Sequence, residues 1–452
     1  MPFKYVIYFI VSLLINLIKS SEIIIPFTSS LSEIPKNLTP IQFMFSLRSN
    51  ELYTNVKVGT PPQNLDLIIN FEYYHLFLIK DSPSDNISHK RYYSNDSSTF
   101  TNLSKQEYFP SYNIGFYKAI NSSDLFTINE NITNCNFTFL HVTDSETQIK
   151  IKSPGVIGLN VVSNADPFHL EQGLVYQLKA QNFTNNYLYT LIYNNNDDFK
   201  GKIIFEKNIY EEYPLDNCSS CYCYTTPEYS FYWGANYIKS SYNNEPLEIK
   251  NLLLKPELGV VLFNKNIETK LKVEFLNDKI EEGKCYEGYS LYTFYYCDID
   301  VKIDIGVFEF KKITSNFYFS LNSDDLTMQY NNKTFLLMGF SQSILYDEVH
   351  LGYPFFRKYD VIFDQNKRTF SFYNFKIGKK NKDIDHDDTP EEKKSNENNP
   401  KTSENSSIIK IIVIVLLTII FIALFLLVAF YIFRNIKRKE KSELLEEFNE
   451  IN

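Results

Sequence analysis

A chain of 452 residues, 44% apolar and 16% aromatic, has enough side chain to fill a large core, which excludes an intrinsically disordered protein. Its formal charge of −9, with no basic patch interleaved with aromatics ahead of the C-terminal tail, argues against a nucleic-acid partner. The six histidines, His75, His89, His141, His169, His350 and His386, fall at no ligand spacing, and no Gly-x-Ser-x-Gly elbow or phosphate-cradling glycine loop occurs, so no metal or other cofactor is expected.

Residues 1–20 set Lys4 ahead of an apolar run over residues 5–17 and end at small Ser20 and Ser21, the layout of a secretory signal. Residues 21–50 form a short lead without a clear period. From Leu52 the chain reads as β: residues 52–78 combine an alternating strand, a Gly-Thr-Pro-Pro turn at residues 59–62 and a strongly apolar strand that runs into Asn70-Phe71-Glu72. Residues 92–100 read as a polar loop and residues 111–124 as a hairpin, with Tyr112, Gly115 and Asp124 at fixed offsets. An apolar strand, residues 153–159, carries Gly155 and Gly158, and residues 201–205 form a further strand. Asparagine runs such as Asn194 to Asn196 read as loop filler.

Six cysteines, Cys135, Cys218, Cys221, Cys223, Cys285 and Cys297, make an even number that can pair completely in an oxidising compartment. The Cys218-x-x-Cys221-x-Cys223 cluster also has the look of a metal knuckle, but no second ligand pair stands at zinc spacing. Residues 252–262 are a strand interrupted by Lys255-Pro256-Glu257. Residues 298–305 alternate charged and β-branched side chains, which predicts a half-buried strand. Residues 349–372 hold Gly352, Phe355, Arg357, Tyr359, Phe363 and Asp364 and close the β region.

Residues 378–407 are a charged, proline-broken spacer. The next segment, residues 408–433, contains 23 uncharged residues from Ile411 to Phe433, roughly 34 Å as a helix and enough to span a bilayer core. Arg434, Lys437, Arg438, Lys439 and Lys441 follow, so residues 434–452 are expected in the cytosol. This predicts a single-pass type I membrane protein of the secretory pathway, cell surface or endosomal and lysosomal system. Within the tail, Glu440, Leu444 and Leu445 have the spacing of an acidic dileucine signal for a sorting adaptor. The sequons agree with this topology: Asn86, Asn95, Asn102, Asn121, Asn131, Asn136, Asn182, Asn217 and Asn332 are glycosylation candidates, joined by the weaker Asn37 and by Asn405 in the spacer.

The turn and strands of residues 52–70, the hairpin at residues 111–124, the glycine pair at residues 155–158 and above all residues 349–364 resemble the pepsin-like aspartic protease family (peptidase A1). The resemblance covers residues 52–375. It implies an all-β, bilobal fold with a first β lobe over residues 51–210, a second over residues 211–377 and a substrate cleft between them, here followed by a transmembrane helix. It implies that Tyr112 stands at the shoulder of a flap and that Cys285 pairs with Cys297, a loop closure worth about 3 kcal/mol in the chain-entropy model. It also places the two catalytic aspartates of the family at Asn70 and Lys255. That chemistry needs one ionised and one protonated carboxyl sharing a site, which an amide facing a lysine does not supply. Phe71 and Pro256 replace the loop hydroxyl residues and Glu72 and Glu257 replace the loop glycines. The expected function is therefore a catalytically inactive relative whose cleft holds a peptide or protein. Two alternatives stand beside it: a shifted second loop at Asp304-Ile305-Gly306, set aside because it falls inside the alternating run, and an acid endopeptidase that uses Glu72 and Glu257 as a substitute pair, although side chains starting two residues later are expected to point apart.

Overall fold

The computed structural model describes residues 23–80, 91–104, 107–111, 115–145, 153–161, 172–194, 197–205, 219–222, 224–225, 231–289, 291–311, 318–345 and 347–373, all within the unit Met1–Asp385. The signal, Asn86, Tyr112, Asn217, the spacer, the expected span and the tail with Glu440, Leu444 and Leu445 lie outside the described residues. Among the described residues no helix is long and apolar enough to cross a membrane.

The first lobe grows from the hairpin Leu52–Val58 and Gln63–Asn70, whose pairing runs from Leu52 opposite Ile69 to Val58 opposite Gln63. Leu52, Thr54, Val56 and Val58 alternate inward, as the period of two requires. Gly59 begins the turn at φ +86°, where a Cβ would stand 2.6 Å from Ser97 Oγ, so both the backbone and the space require glycine.

Each lobe then repeats one motif. In the first, Gln63–Asn70 runs parallel to Gly155–Gly158, with Asn70 opposite Gly158, and Leu76–Ile79 returns antiparallel on the other side of that strand. In the second, Asn251–Leu254 runs parallel to Glu348–Leu351, with Leu254 opposite Leu351, and Val261–Asn264 returns antiparallel on its far side. The next positions, Lys255 and Gly352, correspond to Asn70 and Gly158.

The largest sheet crosses the expected lobe boundary. Asp360–Asp364 pairs with Leu188–Asn194 of the first lobe, and Thr369–Tyr373 continues outward to Ser219–Tyr222. One apolar cluster is continuous through both lobes, from Ile25, Val56 and Tyr189 to Trp233, Phe263, Phe340 and Phe363.

Three expectations change. Residues 21–50 are not a mere lead: Ile23–Ser29 is a strand paired with Asp197–Phe205 and Leu52–Val58, and helix Pro40–Ser46 buries Phe43 and Met44. Residues 299–305 form no ladder. Val301 and Ile305 are buried and Ile303 partly so, but Ile299 is exposed and strand Thr293–Asp298 ends where the alternation begins, so the pattern records partial burial without a partner strand. Helical structure is also longer than expected, running through Lys265–Leu271, a π-helical turn at Lys272–Leu276 and Asn277–Glu281. The bridge between Cys285 and Cys297 is present and joins residues directly opposite each other in the hairpin.

Candidate functional site at the seam of the two lobes

Both motifs end in tight loops that meet at the seam. Asn70 closes the first: its Oδ1 accepts the backbone N–H groups of Glu72 at 2.7 Å and Tyr73 at 2.9 Å, and its carbonyl accepts the Leu159 N–H at 2.8 Å. An asparagine caps its own turn in this way without needing charge. Phe71 turns inward and is buried, its ring 5.4 Å from Phe363 and 6.3 Å from Tyr189. Glu72 is thereby left facing the seam.

The second loop is held from its backbone. Lys255 N–H donates to the Leu351 carbonyl at 2.8 Å, and Leu258 N–H returns to the Lys255 carbonyl at 2.9 Å. Asn50, fully buried, binds the loop from beneath: its N–H donates to the Glu257 carbonyl at 2.6 Å and its Nδ2 to the Pro256 carbonyl at 2.7 Å and to the Tyr193 hydroxyl at 2.8 Å. The Ser29 hydroxyl donates to Asn50 Oδ1 and orients that amide.

The two motif glycines fit their loops alike. A Cβ on Gly158 would stand 2.6 Å from the carbonyls of Tyr73 and His75, three and five residues past Asn70. One on Gly352 would stand 2.5 Å or less from those of Leu258 and Val260, three and five residues past Lys255. This shared spacing fixes Asn70 and Lys255 as equivalent positions independently of sequence comparison, and it leaves Asp304-Ile305-Gly306 outside the repeat.

Across the seam, Lys255 Nζ lies 2.5 Å from Glu72 Oε1 and 3.8 Å from Glu257 Oε1. The two glutamates, expected to point apart, instead converge on one ammonium. Burial pushes the Glu257 carboxyl up to about 7, opposed by Lys255 and reinforced by the negative charge of Glu72. Neither Glu257 carboxyl oxygen has a hydrogen-bond partner within normal distance. The cluster is one cation between two acids, one of which readily holds a proton. No group of His, Cys, Asp or Glu among the described residues has the arrangement of a metal site.

Tyr112 lies outside the described residues, but the hairpin that carries it is formed: Glu107–Ser111 pairs with Gly115–Thr127, with Ser111 opposite Gly115. Asp124 on that long strand is buried, accepting the Tyr92 and Thr99 hydroxyls at 2.5 Å each, which makes it a structural anchor under the Gly59 turn. Asn95, Asn102, Asn131, Asn136, Asn182 and Asn332 are exposed, as attachment of a glycan requires. Asn121 differs, because it sits within a strand and its side-chain oxygen is buried. The roles of Asn50 and of the Glu72 to Lys255 contact were not legible in the sequence, since the paired residues are 206 and 183 positions apart.

No curated protein matches the chain. The family model for eukaryotic aspartyl protease matches residues 51–221, which hold the first loop, the hairpin and the Gly155–Gly158 strand, while the second loop lies beyond the match. By that match, and by the strand and loop geometry it covers, this stretch of the chain is similar to the eukaryotic aspartyl protease family.

Proposed function

We propose that this protein is a membrane-anchored, catalytically inactive relative of the aspartyl proteases, whose cleft holds an extended peptide or a protein segment without cutting it. The observation that carries the reading is the ion pair between Lys255 and Glu72 at the seam. Aspartic proteolysis activates water with one carboxylate while a second carboxyl donates to the scissile carbonyl. Here the equivalent positions are an amide engaged in its own turn and an ammonium engaged with Glu72. An amide has no basicity to lend, and an ammonium beside a carboxylate favours the charged form over proton sharing. The frame around the loops is kept, which suits strand-like backbone pairing with an extended ligand.

The convergence of Glu72 and Glu257 favours one second reading, an acid endopeptidase using that pair. Lys255 weakens it, because its ammonium is paired with Glu72 at 2.5 Å and stands 3.8 Å from Glu257. Selection of a random peptide library on the full-length protein in nanodiscs tests the binding reading. Enriched peptides should compete for one site and elute intact. Failure to enrich any peptide, or recovery of cleaved ones, counts against it.

A further inference from the structure

The charged cluster at the seam has a property that ligand binding does not require. Glu72 is carried by the loop of one motif, and Lys255 and Glu257 by the loop of the other. Their single cation therefore bridges the lobes, and the two acids stand on opposite sides of the bridge. The groups acting electrostatically on Glu257 are Lys255 and Glu72 from the two loops and, from strand Leu188–Asn194, the buried phenol of Tyr193, which burial keeps protonated. The neighbouring Asn50 contributes only neutral donors.

We propose that Glu72, Lys255 and Glu257 form a proton-operated clasp, which holds the two loops together while Glu257 is neutral and loosens when Glu257 ionises. With Glu257 protonated, the cluster holds one negative and one positive charge, and their attraction across the seam is unopposed. Loss of the proton puts a second carboxylate in competition with Glu72 for the same ammonium. Like charges from opposite lobes then repel in a poorly solvated site.

The direction with pH follows from linkage. Opened to solvent, Glu257 titrates near the ordinary value of 4.5, and in the clasp near 7. The contribution to closure is fully present below the open-form value and is lost as pH rises through the closed-form value. The change therefore falls between an acidified compartment and a neutral exterior.

Hydrogen exchange of the full-length protein in nanodiscs, without ligand, tests this apart from the peptide-binding reading. Amides of residues 70–75 and 255–261, corrected for intrinsic rate, should exchange roughly twentyfold faster at pH 8.0 than at pH 5.5. Glu257→Gln, which keeps the shape and removes the titration, should hold both loops at the acid level of protection throughout. Glu72→Gln removes the bridge and should raise exchange at both pH values. A wild-type change below twofold, or a pH difference that survives Glu257→Gln, overturns the clasp.

Discussion

Asn70 serves a structural role at the position where the proposed reading expects a catalytic acid. Its carbonyl oxygen makes the two turn-closing bonds that the loop needs, at 2.7 and 2.9 Å, so the loop keeps its shape without a charge. Phe71 consolidates the change by moving into the core against Phe363. On the proposed reading, restoring one acid should not be enough. Asn70→Asp still lies in the loop facing Lys255, and even Asn70→Asp combined with Lys255→Asp lacks the hydroxyls that Phe71 and Pro256 have displaced. An error of about an ångström in placement costs on the order of a hundredfold in rate. The double variant should show no turnover of a fluorogenic peptide above that of the unmodified protein, whereas turnover restored by the single change Asn70→Asp would show that Lys255 does not control the site. At this scale the sequence supplied residue type and position, an amide at Asn70 and an ammonium at Lys255, on which the inactive reading is proposed. It was silent about the ion pair, which joins residues 183 positions apart.

At the scale of elements, the paired motif rests on two glycines inserted between strands. Gly158→Ala and Gly352→Ala each drive a methyl group into backbone carbonyls that cannot rotate away. Each should lower stability by about 1–3 kcal/mol, read as a fall in the denaturant midpoint with an unchanged slope. Equal stability of Gly352→Ala and wild type would contradict the equivalence of the two motifs. The strands of these motifs were legible because their apolar runs and glycines recur in both halves. Other elements were hidden for identifiable reasons. Pro26 interrupts the run in Ile23–Ser29, yet it is accommodated opposite Lys202. Helix Pro40–Ser46 spans under two turns, too short for a period, although Thr39 and Gln42 make a capping box around Pro40 that was readable. The alternation at residues 298–305 gave the inward side chains correctly at Val301 and Ile305, missed at exposed Ile299 and gave the strand wrongly, since burial has a period but pairing needs a neighbour.

At the scale of the whole molecule, one sheet and the larger of two apolar clusters pass through both lobes, so the seam is a built part of the fold. The anchor is argued from sequence: the signal at residues 1–20 and the uncharged run with its basic flank predict a lumenal or extracellular ectodomain. In sealed microsomes a tag on residues 434–452 should be digested by added protease while the glycosylated bulk is protected. The opposite pattern would reverse the topology. The central claim concerns chemistry at the seam, and hydrolysis tests it most directly. The full-length protein, incubated with a fluorogenic peptide library from pH 3 to 7 beside an active aspartic protease as control, should give no pepstatin-sensitive cleavage; pepstatin-sensitive cleavage that disappears with Glu72→Gln or Glu257→Gln would contradict the account and assign the site to a working pair of glutamates.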